Sequence, residues 1–220
     1  MGLLRHIADN RQPGSLAAGY RRRRFELFRE LLRRLRRPLQ ILDVGGTEQF
    51  WRSVGLEAEP GLTITLLNLE AGPVQTPGFR SVAGDARDLS TYPDASVDIV
   101  FSNSTIEHLG LLEDERRMAD EIRRVAVRYF IQTPNRYFPL EPHFLFPFFA
   151  LLPRQLRVWI ATWWKPGWYS RPGQPEAARK EVEAIRLLTR RELRAMFPEA
   201  TVHVERCCGL AKSFILHHGW

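Results

Sequence analysis

The sequence predicts an α/β fold: a doubly wound, mainly parallel sheet of seven strands, with an aromatic and proline-rich cap inserted after the fifth. Three observations carry this. Short apolar runs of strand length alternate with helix-like segments between residues 40 and 133, as expected of strands joined by crossover helices. The first run breaks into a glycine pair, Gly45-Gly46. The alternation then gives way at 134–175 to a stretch crowded with proline and aromatic residues, and resumes only near Thr189.

In order, residues 1–15 read as irregular, punctuated by Pro13-Gly14. From Leu16 to Arg37 the spacing predicts a helix. Phe25, Phe28, Leu32 and Leu35 share one face, arginines (Arg21 to Arg24, Arg29, Arg33, Arg34, Arg36, Arg37) cover the rest as a solvated face, and Pro38 stops it. Strands are expected at Gln40–Val44, Leu62–Leu69, Phe79–Ala83, Val97–Ser102 and Val127–Thr133, with helices at Glu48–Val54 and Leu111–Val125. A last helix spans Thr189–Phe197, with Thr189 as N-cap and Glu192 completing a capping box. Thr201–Arg206 and Lys212–His217 read as closing strands. The chain thus divides into an N-terminal helical segment, 1–37, and a domain over 38–220 whose cap occupies about 134–188.

Composition narrows the class. A chain of 220 residues that is 44% hydrophobic can bury a core without staples. Cys207 and Cys208 are adjacent, so free thiols in a reducing compartment are expected, and the start of the sequence does not read as a signal peptide; the expected location is cytoplasmic. The net charge of +7 is carried almost wholly by arginine, which suits nucleic acid, an anionic membrane surface or a phosphorylated substrate as partner, or simply solvates helix faces. Between His143 and Trp164 the apolar run is broken by Pro147, Pro153, Arg154 and Arg157, which argues against a membrane span and leaves a lid over an apolar substrate, a subdomain core, or a segment resting peripherally at the inner membrane surface.

Four stretches fall at carboxyl ends of expected strands, where open α/β sheets bind ligands. In Ile41-Leu42-Asp43-Val44-Gly45-Gly46-Thr47 an acid precedes the glycines, and a carboxylate there can hold a cationic amino group or an ordered water. The register Gly-Gly-Thr-Glu-Gln-Phe fails the dinucleotide fingerprint. Asn68, Leu69 and Glu70 end the second strand with acceptors suited to vicinal hydroxyls. In Gly84-Asp85-Ala86 the carboxylate can accept from an exocyclic amine and the next N–H can donate to a ring nitrogen. Asp98–Leu109 ends in the polar cluster Ser102-Asn103-Ser104-Thr105 followed by Ile-Glu-His-Leu.

These four motifs resemble those of class I S-adenosylmethionine-dependent methyltransferases, over about residues 38–133. The resemblance implies a Rossmann-like sheet closed by an antiparallel hairpin, S-adenosylmethionine as cofactor, and cofactor contacts from Asp43, Gly45, Gly46, Thr47, Asn68, Leu69, Glu70, Asp85, Ala86 and Asn103. Thr47 and Gln49 stand where the family commonly has further glycines, and Asn68 where it has an acid. Methyl transfer to a hydroxyl or amine needs alignment and, in some cases, a base. His108 after strand four and His143, with Glu141 two residues before it, are the candidates; each could equally pack a helix or stiffen a loop. Asn135, Arg136, Tyr137 and Glu141 follow strand five and are expected to face the substrate, Arg136 suiting a phosphate or carboxylate. No metal site is expected, since six scattered histidines and two adjacent cysteines give no tetrahedral spacing. The expected function is methyl transfer, at oxygen, to a small-molecule, glycan or lipid-linked acceptor. The alternatives are an RNA methyltransferase, disfavoured by the absence of an Asn-Pro-Pro-Tyr-like tetrad after strand four, and a non-catalytic, membrane-associated scaffold.

Overall fold

The computed structural model describes residues 14–56, 59–164 and 174–220; most of the irregular start expected for 1–15 lies outside them. Seven strands form one sheet: β1 (Leu39–Val44), β2 (Leu62–Asn68), β3 (Phe79–Ala83), β4 (Val97–Asn103), β5 (Ala126–Pro134), β6 (Thr201–Cys207) and β7 (Leu210–His218). Their order is β3-β2-β1-β4-β5-β7-β6. Strands β1 to β5 are mutually parallel, and β7 runs antiparallel to both β5 and β6. The chain leaves β1 toward β2 on one side and returns to β4 on the other. That reversal opens a crevice above the carboxyl ends of β1 and β4.

The central strands are apolar on both faces because helices cover both. Side chains alternate: Ile41, Ile99, Phe101, Phe130 and Ile215 enter one core, while Leu42, Val100, Ile131, Phe214 and Leu216 enter the other. The first core is capped by α1 (Leu16–Arg33) and α2 (Glu48–Ser53), the second by α3 (Leu112–Val125) and α6 (Arg190–Met196). Phe28 of α1 sits with its ring centroid 5.0 Å from those of both Phe101 and Phe130. Burial of a side chain of this size contributes roughly 1.5–3 kcal/mol. The helical segment 1–37, as far as it is described, therefore shares the core of the sheet.

Two expectations for α1 need correction. It ends at Arg33, not Arg37, because the Arg34 and Leu35 N–H groups already close tighter i→i+3 bonds onto Leu31 and Leu32. Its arginines are not all solvated either, since Arg24 is 7% exposed. The capping box on α6 is present, Thr189 accepting from the Glu192 N–H and Glu192 from the Thr189 N–H. The cap, expected only as a proline-rich insertion, contains α4 (Arg154–Trp163) and α5 (Pro175–Glu183) around a small core of its own that includes Phe144, Phe149, Ile160 and Val182.

Candidate active site

At the end of β1, Asp43 is 1% exposed. Its Oδ2 accepts from the Trp51 indole N–H at 2.6 Å, and its Oδ1 is buried with no partner. Burial pushes its pKa up to about 7, opposed by the indole hydrogen bond. The following glycines are needed for close packing. Gly45 has φ +79°, and a Cβ there would lie 2.3 Å from Thr105 Oγ1; at Gly46 a Cβ would lie 1.6 Å from Asp43 Oδ2. Thr47 N-caps α2 by accepting from the Phe50 N–H. Asn68 donates its amide to the Gly46 carbonyl at 3.0 Å, so its own carbonyl remains the group to offer a ligand. Leu69 is 77% exposed, and Glu70 is exposed beside it. Asp85 is engaged by Arg87 through its backbone N–H and its guanidinium, which holds the carboxyl below the ordinary range. Ala86 is buried in the core beneath.

The histidine candidates, 35 positions apart in sequence, come together. The rings of His108 and His143 meet edge to face with centroids 4.8 Å apart. His108 lies on a 3-10 turn (Ile106–Leu109) after β4. Its neighbour Glu107 is fully buried, with Oε2 accepting from Thr133 Oγ1 at 2.9 Å and Oε1 buried without a partner. His143 Nδ1 lies 2.7 Å from Glu141 Oε1, and Glu141 Oε2 accepts from the His143 and Phe144 N–H groups at 2.9 and 2.5 Å. Burial and the neighbouring imidazole lower the His108 pKa to about 4. For His143, burial opposes the charged form but the hydrogen bond and charge of Glu141 outweigh it, with a net rise. Burial raises the Glu107 pKa, against the pull of His143. Donor atoms of Glu107, His108 and His143 all lie within 4.8 Å of one another, which sequence spacing alone did not reveal.

Residues 42–128, which span the crevice and the Glu107–His108 turn, match a family described as "Methyltransferase domain". Over those 87 residues the chain is similar to methyltransferase domains. No curated protein sequence matches the chain. Among solved structures, it is similar to a SAM-dependent methyltransferase from Methanosarcina mazei at 15% identity, over 85% of this chain and 94% of that one, with a TM-score of 0.54. It is also similar to a "possible exported protein" from Bordetella parapertussis at 13% identity and a TM-score of 0.53, over 89% of this chain but only 66% of that one. Identities this low speak for the fold alone. That similarity implies S-adenosylmethionine, and the crevice fits it on one ground: Asp43 at the end of β1 keeps a buried carboxylate oxygen without a partner.

Sequence reasoning missed the residue that ties α1 to this site. Arg24 forms a bidentate ion pair with Glu205 of β6, at 3.2 Å from Nε and 2.8 Å from Nη2. Its Nη1 donates to Asn103 Oδ1 at 2.5 Å and to Gln132 Oε1 at 2.8 Å. Asn103 is thus held from outside the motif, and its carbonyl serves α1. Within an arginine-rich helix, the only signal was that Arg24 adjoins Phe25 on the apolar face.

Beyond the histidines lies a cavity of about 440 Å³ between the 3-10 turn and the cap, lined by Arg136, Glu141, Arg154, Arg157 and Arg186 among others. Arg154 pairs with Glu183, and Arg186 with Glu115 and Glu192. Burial and the charges of Arg136 and Arg154 lower the pKa of Arg157, whose Nε is buried without a partner. Of the other substrate candidates, Asn135 bridges the Ala211 carbonyl and the Tyr137 N–H, while Tyr137 is 63% exposed. On α4, Leu156, Trp159 and Trp163 are exposed at i, i+3 and i+7, with Phe148, Leu151 and Trp164 exposed nearby in sequence. No helix among the described residues is long and apolar enough to cross a membrane.

Proposed function

We propose that the protein transfers the methyl group of S-adenosylmethionine to an oxygen of a lipid-linked or glycan acceptor seated under the cap. The observation that carries this is the meeting of His108 and His143 beside the cap cavity, on the turn that directly follows the β4 end of the crevice. The cofactor supplies an electrophilic methyl on a sulfonium. Asp43 would hold a cationic group of the cofactor, Asn68 its hydroxyls, and the loop at Asp85 and Ala86 its base. The acceptor hydroxyl would lose its proton at the Glu107–His108–His143 cluster, with Glu141 fixing the His143 ring. Arg136 and Arg157 suit a phosphate or carboxylate on the acceptor. The exposed tryptophan face of α4, beside a chain of net charge +7, supports peripheral contact with an anionic membrane where such an acceptor would reside.

Calorimetric titration with S-adenosylmethionine and S-adenosylhomocysteine tests the first half. Micromolar binding that weakens in Asp43→Ala, followed by label transfer from methyl-labelled cofactor into a lipid and glycan extract, supports the reading. Folded protein that binds neither compound overturns it and leaves a scaffold role.

A further inference from the structure

We infer that Glu107, His108 and His143 form a binding site for one divalent transition-metal ion of the zinc class. Two imidazoles and one carboxylate are the donor set of catalytic zinc sites that leave a fourth position open. Four features of the cluster fit that role. Glu107 is fully buried, its Oε2 is held by Thr133, and its Oε1 has no partner. His143 has Nδ1 occupied by Glu141 at 2.7 Å, which leaves Nε2 free. A carboxylate behind a ligating histidine is the usual way its ring is oriented and made more basic. Glu141 is itself pinned by two backbone N–H groups and cannot swing away without losing them. The donor atoms lie within 4.8 Å of one another, whereas bonds of about 2.0–2.1 Å in a tetrahedron place ligand atoms roughly 3.3 Å apart. The difference is within reach of a rotation of His108, which is an exposed residue. Other placements of an ion are poorer: Cys207 and Cys208 sit on the hairpin between β6 and β7, and no other group of three such side chains among the described residues converges.

The site stands on side-chain geometry and does not depend on the acceptor. If the proposed reaction holds, the acceptor's oxygen would take the open position. There the ion, and not a free imidazole, would promote loss of the acceptor's proton by lowering its pKa; the O–H proton would leave to solvent water, and the O–C bond would form as the C–S bond breaks to give a neutral thioether.

The test uses the whole chain, stripped with a chelator and titrated with Co²⁺ by visible absorption, then with Zn²⁺ in competition. The expected result is one equivalent bound, with bands of a four- or five-coordinate ion. Glu107→Gln, His108→Ala and His143→Ala should each lose them, and Glu141→Gln should weaken binding by about 10–100-fold. The double variant Cys207→Ser/Cys208→Ser should bind as the parent does. Circular dichroism and thermal denaturation of each variant check that it is folded. No binding tighter than millimolar by folded parent, or binding that survives loss of both histidines, overturns the site. Because the readout needs neither cofactor nor acceptor, failure of the methyl-transfer reading leaves it standing, and the converse.

Discussion

Asp43→Asn separates the charge of the crevice carboxylate from its shape. The ordinary aspartate pKa of 3.8 rises to about 7 in the fold. Below pH 4 both folded and unfolded chains hold the proton. Between pH 4 and 7 the folded chain keeps a proton that the unfolded one has lost, so stability falls as pH rises; above 7 the penalty is constant. A shift of about three units corresponds to about 4 kcal/mol as a ceiling, since each unit is about 1.4 kcal/mol. Asparagine cannot titrate. It still accepts from Trp51, but it places an amide where Oδ1 had no partner, at a pH-independent cost of about 1–3 kcal/mol. The variant should therefore start less stable than the parent near pH 4 and gain on it by up to about 4 kcal/mol by pH 8. Urea denaturation at four pH values measures this. With saturating S-adenosylhomocysteine the parent's slope should flatten, because a bound ammonium group would keep Asp43 ionised. Parallel curves for parent and variant would refute the buried-charge account.

Removing Arg24 as Arg24→Met leaves the buried Glu205 carboxylate without its guanidinium, with the Ser213 hydroxyl still donating to it, and should cost about 3–5 kcal/mol in chemical denaturation, with Arg24→Met/Glu205→Met recovering most of it; a loss under 1 kcal/mol would show the pair to be incidental. Gly45→Ala drives a Cβ to 2.3 Å from Thr105 Oγ1 at φ +79°, so both thermal stability and S-adenosylhomocysteine affinity should fall, and an unchanged affinity would dissociate the loop from the cofactor. Trp159→Ser/Trp163→Ser should lower co-sedimentation with phosphatidylserine vesicles while leaving stability nearly unchanged, as both side chains are about half exposed; equal sedimentation of parent and variant would remove the membrane from the account. Thr189→Ala should cost about 1 kcal/mol through loss of the α6 capping box, read as a lowered denaturation midpoint.

Legibility in the sequence followed how local the deciding physics is. Strand β3 at Phe79–Ala83 and the capping box at Thr189 and Glu192 rest on neighbours a few residues apart, and both could be read directly. The glycine pair after β1 was legible as a loop, yet its packing reason, room for Thr105 and for the Asp43 carboxylate, is tertiary. Helical periodicity alone makes Arg24 a solvated residue, because it places a side chain on a face without revealing that Glu205, Asn103 and Gln132 wait there. In the cap, prolines and aromatics hid α4 and α5, since Pro153 precedes α4 and Pro175 opens α5 as their first-turn residues instead of breaking them. His108 and His143 were each named separately; that they share one cluster with Glu107 depends on how the cap folds back.

The Arg24–Glu205 pair joins positions 181 residues apart, on the first described helix and on the sixth strand. At translation rates of roughly 5–20 residues per second, a nascent chain carries α1 for roughly 10–40 s before its partner carboxylate has been made. Through that interval Phe25 and Phe28 have only part of their eventual core, and the guanidinium must remain hydrated. The helix that seals the sheet therefore leaves the ribosome well before the strand it pairs with, and is among the last elements to reach its final seat. Until then it is an amphipathic, arginine-rich ligand for any chaperone or anionic surface it meets.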